Sequence, residues 1–452
     1  MNNSEIKKTG NRREFFFDDF CTAECHGLVR RFPVPVANPP EPAQPRGYYM
    51  TMLQDNGMIH CYYRGNFNDY TGHHPEFTVK PGFLGEYTAY ARSFQGIKFL
   101  KPPLFLYDCG VPNVLYAMEK GVHNFCPFYD ENPACPPEQR YKAIAGVSDL
   151  GGLYGFAGSD PVGFKRIQET PVIPADPAWG YCMDSQNVTF WSELEGCYVC
   201  YFRINKGADG QEMRTVAKVT SPDFIHWSKP EIPTLNYPGE NLYVSLLAPY
   251  YRAKHIYIGT PTRYFEDRGS ATDISLIFSR DGKNFIRPLG NAAWIKPGPQ
   301  PEAWQNRYNY LAYNPVQTGT AEMSYYHIQS GVRYSMRLDG YACLSAGGDT
   351  GEWISKRIEY DSGELEFNVA TGAGGSFRVE LQQEDGTPLP GYSLEESRIF
   401  YGDDIAYKAA WKDGAEPLKT GQPLRIRCVM QDCDLYSFVF NNEAISKVFK
   451  NA

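Results

Sequence analysis

The sequence predicts an all-β chain: a five-bladed β-propeller over residues 13–347, followed by a β-sandwich over 348–442. Three observations lead there. Apolar residues alternate in short runs between turn clusters, and long runs of helical period are nearly absent. The chain is rich in aromatics, glycine and proline, with 33 Tyr, 27 Phe, 42 Gly and 34 Pro in 452 residues. A turn motif also recurs as SFQGIKF (93–99), SDPVGF (159–164), SPDFIHW (221–227) and SRDGKNF (279–285). A fixed-period repeat of about 60 residues is the mark of a repeat architecture.

Each repeat opens on one strand and continues into a second. The opening strands are GYYMTML (47–53), HNFCPFY (123–129), QNVTFW (186–191), LYVSLLAPY (242–250) and YNYLAYNP (308–315). The second strands are MIHCYYRG (58–65), YKAIAGV (141–147), CYVCYFRI (197–204), HIYIGTP (255–261) and EMSYYHI (322–328). The serine motif then reads as the turn between the third and fourth strands. Its serine satisfies turn backbone, its glycine supplies positive φ, and its aromatic packs between blades. In the fifth repeat, YSMRLDGYACL (334–344) puts Leu338 in the serine's place. REFFFDDF (13–20) is expected to supply the outer strand that closes the last blade and removes its open edge. Beyond Gly348 the strands lengthen, which reads as the sandwich, and GAGGS (372–376) reads as a hairpin turn within it.

Net charge is −8, without a lysine- or arginine-rich run, so neither nucleic acid nor a membrane surface is an expected partner. No stretch is long and apolar enough for a membrane span. The N-terminus has no apolar core of the secretion type, which points to the cytoplasm. The 12 cysteines are scattered, and the single CxxC, Cys197 to Cys200, lies on an alternating strand. They are expected to be small buried hydrophobes rather than zinc ligands. No cofactor or metal is expected; GHH (72–74) has no supporting ligand spacing.

Function in a propeller gathers at one end of the central channel, where the inner strands begin. That rule selects Arg46, His123, Asn124, Asp184, Gln186, Asn187, Glu240, Asn241, Trp304, Arg307 and Asn309. From the second strands it adds Arg64, Arg203, Arg263 and Glu322, with Tyr326 and His327 nearby. Asp184, in YCMDSQNVTFW, is either a turn former or a reacting carboxylate. Glu322 lies in an apolar strand, where a carboxylate is either paired with an arginine or functional. Two such acids across a funnel suit glycosidic-bond hydrolysis. Asp184 and Glu322 are therefore the expected catalytic pair. Arg64, His123, Asn124, Asn187, Arg203, Glu240, Arg263, Trp304 and Arg307 are the expected substrate contacts.

The stretches FFFDDF, YYRGNF, GEYTAYARSFQGIKF, HNFCPFYDENP, DSQNVTFW and RLDGY, with RVELQQEDGTPLPGYSL, YGDD and DLYSFVF in the sandwich, carry a resemblance. With the layout, they resemble a bacterial group of glycosidases related to the invertase/levanase and arabinanase/β-xylosidase clans. The invertase motifs WMNDPNG and RDP are absent. The resemblance implies an exo-acting glycoside hydrolase on an oligosaccharide, with a furanoside or pentose-type terminal sugar favoured. By analogy it also implies that Asp184 orients the substrate or reacts. The many arginines admit a phosphate-dependent phosphorylase as an alternative; the non-enzyme alternative is a glycan-binding propeller that has lost one carboxylate and binds sugar without turnover.

Overall fold

The computed structural model describes residues 5–67, 86–107, 110–117, 122–207, 209–305, 307–412 and 422–441. The GHH stretch at 72–74 lies outside them. The chain is all-β; among the described residues the helical elements are 3-10 turns of three or four residues. None is long and apolar enough to cross a membrane. The chain forms two compact units, 34–336 and 1–33 with 337–452.

In the 34–336 unit the first sheet runs through Tyr48–Asp55, Met58–Asn66, Glu86–Ser93 and Val114–Ala117. The second contains Cys126–Tyr129, Tyr141–Val147 and Gly152–Gly158; the third contains Val188–Ser192, Cys197–Lys206 and Glu212–Ser221. The stretch expected as one strand at 242–250 is broken. Asn241–Val244 pairs with Thr262–Phe265, whereas Leu247–Tyr250 pairs with Ala253–Gly259. Leu246 between them adopts a left-handed φ of 44°, which turns the chain out of the first ladder. The last sheet joins Val316–Gln317, Glu322–Tyr326 and Arg333–Arg337.

The opening strands of successive sheets are neighbours. Tyr48–Asp55 lies beside Cys126–Tyr129, which adjoins Val188–Ser192, which adjoins Leu247–Tyr250. The Tyr313 hydroxyl donates to the Leu247 carbonyl at 3.4 Å. The Tyr313 backbone exchanges hydrogen bonds with Met50 and Met52, returning the row to its start. Gln186 spans this centre, its Nε2 donating to the Met50 carbonyl and Thr51 Oγ1 at 2.8 and 2.7 Å.

The repeated serine turns sit at the far ends of the third strands. Ser93 and Ser279 each accept the amide of the glycine three residues on, at 2.9 Å. Gly96 and Gly282 have φ of 69° and 67°. A Cβ at Gly96 would overlap the Tyr326 hydroxyl, and one at Gly282 would press on Tyr257. A tyrosine from a neighbouring sheet pins three of the four turns: Tyr326 to the Gly96 carbonyl, Tyr62 to that of Pro161 and Tyr201 to that of Gly282. The repeat thus has a packing origin.

The other unit is built on two long strands, Glu364–Gln382 and Arg425–Asn441, paired along most of their length. Phe16, Trp353, Phe367, Phe377 and Phe438 form its core. Three sequence expectations are corrected here. The 13–20 segment does not close the last sheet of the other unit: Glu14–Phe15 pairs with Arg425–Asn441, because Phe16 packs on Trp353 and Phe438. The edge strand of that last sheet is Val36–Ala37, held on Tyr334 and Ser335. The border also falls before 347, since Cys343–Ala346 pairs with Arg425–Asn441 and Leu28–Arg31. Finally, GAGGS is not a turn but an interior bulge of Glu364–Gln382, between the pairs Thr371 with Cys433 and Ser376 with Gln431. Gly375 is required there because a Cβ would overlap the Asp432 and Gln431 carbonyls, whereas at Gly372 it would displace only the Asp432 carboxylate.

All described cysteines are free thiols, and Cys25 is exposed.

Candidate active site

Second strands run away from the opening hairpins, so Arg64 and Arg203 finish at the end where the opening strands begin. The backbone there is unusual. Tyr49, Asn124, Met183, Leu246 and Arg307 all have positive φ, between 44° and 64°, at or just ahead of an opening strand. Asparagine tolerates this region, but for the other four it costs on the order of 1–3 kcal/mol each. Met183 and the Asn187 side chain set the Asp184 loop: Asn187 Nδ2 donates to the Met183 carbonyl at 2.9 Å.

A carboxylate–imidazole–carboxylate chain lies at this end. His123, almost fully buried, faces Glu86 Oε2 with Nδ1 at 2.6 Å and Asp184 Oδ1 with Nε2 at 3.1 Å. Arg64 Nη1 lies 3.2 Å from Glu86 Oε1 and donates to Asn124 Oδ1 at 2.7 Å. Asn124 Nδ2 donates to the Ser185 carbonyl at 2.9 Å, which fixes the amide's orientation, and also lies 2.9 Å from His123 Nε2. That nitrogen has an amide donor and a carboxylate acceptor in reach, and its proton decides which is served.

Asp184 is the reachable carboxylate, its side chain 31% exposed. Desolvation works to raise its pKa, but the hydrogen bond from His123 and the charges of Arg203 and Arg64 outweigh it. The carboxyl is held well below the usual carboxylate range. Arg203 Nη2 lies 3.4 Å from Asp184 Oδ2. Tyrosines line the surroundings. Tyr49 donates its hydroxyl to that of Tyr243 at 2.9 Å, and the Tyr243 ring contacts that of Tyr310 edge-on. Arg64 lies over Tyr49, while Arg203 and Arg307 both lie over Tyr243. Tyr181 adjoins Asp184, and burial raises its hydroxyl pKa.

The structure thus brings together Arg64, His123, Asn124, Asp184, Arg203 and Arg307 of the expected residues. Asn187 supports the loop, and Trp304 stands 55% exposed on the segment leading to Arg307, its indole bonded to the Gly298 carbonyl. Others are committed elsewhere. Glu240 forms a two-oxygen pair with Arg287. Arg263 forms one with Asp273 and also bonds Asn291. Glu322 is not brought to Asp184: it begins its strand at the opposite end, where it pairs with Arg333 and accepts from Thr318, both at 2.7 Å. Asn241 accepts the Arg214 amide, and Asn309 Nδ2 bonds backbone carbonyls. His327 is buried against Ser330, its pKa lowered by burial to about 4. Arg46 is exposed beside Gly331.

Glu86 is the carboxylate that sequence reasoning missed. It is the first residue of a third strand, and the signal was its register opposite Asn66, two residues past Arg64. Among the described residues no group of His, Cys, Asp and Glu is arranged to hold a metal ion.

No family model matches the chain, and no curated protein matches it. Solved structures with similar chain paths include a glycoside hydrolase family 43 arabinoxylan arabinofuranohydrolase from Bacillus subtilis. It is 12% identical, with a TM-score of 0.43 over 88% of this chain and 96% of that one. A β-1,2-mannobiose phosphorylase from Listeria innocua is 12% identical, with a TM-score of 0.46 over 69% and 96%. An N-acetylgalactosamine deacetylase from F. plautii is 10% identical, with a TM-score of 0.43 over 91% and 96%. At these identities and scores no catalytic residue is carried over to this chain.

Proposed function

We propose that the chain is a glycoside hydrolase acting on an oligosaccharide at the Asp184 end of a five-bladed β-propeller, with the second unit a β-sandwich. The observation that carries this reading is the chain Glu86–His123–Asp184, two carboxylates joined through one imidazole and ringed by arginines and tyrosines. Aromatic rings and fork-shaped donors suit a sugar's apolar faces and hydroxyls. Supporting the propeller reading are the row of opening strands that returns to its start and the tyrosine-pinned turns.

The roles follow from charge. Asp184 stays ionised, so it acts as base, nucleophile or stabiliser of an oxocarbenium-like centre, and not as the proton donor. Glu86 is the second carboxyl of the cluster, and His123 fixes both acids. The test is turnover of a panel of aryl glycosides and plant oligosaccharides, with and without phosphate, by the wild type, Asp184→Asn and Glu86→Gln. Turnover that collapses in both variants supports the reading and names the terminal sugar. Sugar binding without turnover in the wild type overturns it in favour of a lectin-like propeller.

A further inference from the structure

The arginines of the 34–336 unit differ in how fully their donors are used. Arg263 is saturated by Asp273 and Asn291; Arg287 leaves its Nε unpartnered but commits both terminal nitrogens to Glu240, Ser275 and the Leu235 carbonyl. Arg64 has Asn124 and Glu86. Arg203 is only 5% exposed; its guanidinium lies over the Tyr243 ring and 3.4 Å from Asp184, and its Nε is buried with no hydrogen-bond partner. A buried guanidinium with spare donors is costly unless something completes it.

Arg307 is exposed and approaches the same ring as Arg203, at 5.7 Å against 5.6 Å from the Tyr243 centroid. The Tyr243 oxygen already accepts from Tyr49, so its own proton is available to donate. Three arginines (64, 203 and 307) and His123 share the cluster with two carboxylates (86 and 184), and Asp149 is a further acid near Tyr181. The negative charge of Asp184, which would repel a second anion, is shared between His123 and Arg203.

We infer that Arg203 and Arg307, flanking Tyr243, form a subsite for an oxyanion, a carboxylate or phosphate group, beside the sugar bound at Asp184. Forked guanidinium donors and a phenol match such oxygens better than they match a neutral hydroxyl. The anion is either part of the substrate, as in a uronic acid, or free phosphate. The inference rests on the glycosidase reading for the identity of its neighbour, but not for its own chemistry.

Calorimetric titration with glucuronate, galacturonate, glucose, galactose and inorganic phosphate at matched ionic strength tests it, on wild type, Arg307→Met and Arg203→Lys. One anion should bind at least tenfold more tightly than the neutral sugars. That preference should fall at least tenfold in Arg307→Met, whose exposed side chain the fold does not need, and partly in Arg203→Lys, which keeps charge without the fork. A uronate preference identifies the substrate's acidic group; a phosphate preference identifies a free anion. Equal affinity for anions and neutral sugars, or an anion affinity unchanged in Arg307→Met, overturns the subsite and leaves the glycosidase reading standing. Selective anion binding by a protein that turns over no glycoside leaves the subsite and removes that reading.

Discussion

The two ends of the sheets in the 34–336 unit contrast in how they treat polar groups. At the turn end, demands are met locally: serine hydroxyls cap turn amides, tyrosine hydroxyls pin turn carbonyls, and Glu322 has Arg333 and Thr318. At the other end Tyr49, Met183, Leu246 and Arg307 are left-handed, against Phe224 alone among the non-glycine residues of the serine turns, and Arg203 keeps unused donors. One end is arranged for stability; the other carries strain and leaves donors unspent, as ligand sites do.

Substitutions at the two ends should separate these properties. The largest effect is expected from Asp184→Asn, which should lower kcat by about 10²–10⁴-fold, in the range of a lost base or nucleophile, while the variant stays folded at the assay temperature. A kcat within threefold of wild type would dissolve the contrast. Gly282→Ala should do the reverse. It forces a Cβ into Tyr257 and a left-handed alanine, costing about 2–4 kcal/mol in denaturant melts, while activity per folded molecule is kept.

Smaller effects sharpen the comparison. Tyr201→Phe removes the hydroxyl that pins the Gly282 carbonyl, and chemical denaturation should report a loss of about 1 kcal/mol. The ionised Asp184 contributes stability above the unfolded carboxylate pKa of about 3.9, and that contribution disappears as pH falls toward the depressed folded value. The stability gap between wild type and Asp184→Asn should therefore shrink below about pH 4 and stay constant above about pH 5; a gap independent of pH would mean that the pairs with His123 and Arg203 hold no charge. Least of all, Glu322→Gln should change stability by about 0.5 kcal/mol or less, since its pair with Arg333 is partly solvated, and should leave kcat alone.

The legible part of this site came from a positional rule. Residues where opening strands begin and second strands end include His123, Asn124, Asp184, Arg64 and Arg203, and these do meet. The rule failed where a side chain's partner depends on register or on another loop. Glu86 reaches His123 because the third strand pairs Glu86 with Asn66, and the long connection between them hid that register. Glu240 and Arg263 stand at suitable positions but find Arg287 and Asp273, which no local pattern reveals. Glu322 was singled out for its apolar surroundings, yet as the first residue of its strand its side chain is 41% exposed. Among the sheets, strong alternation located strands well. The aromatic run at 13–20 was legible as buried strand, but its partner, some 420 residues away, was not.

The hydrogen bonds between Tyr313 and the segment at Met50–Met52 also have a kinetic consequence. They join residues about 260 positions apart, and bringing such ends together costs about 5 kcal/mol of chain entropy. A ribosome must deliver nearly all of this unit before the first sheet can find its last neighbour. Until then the nascent chain presents the unpaired flank of Tyr48–Asp55 to its surroundings. Assembly should therefore show a late, slow phase whose rate depends on this single seam, and a chain whose ends were relocated to another seam would fold to the same structure by a different final step.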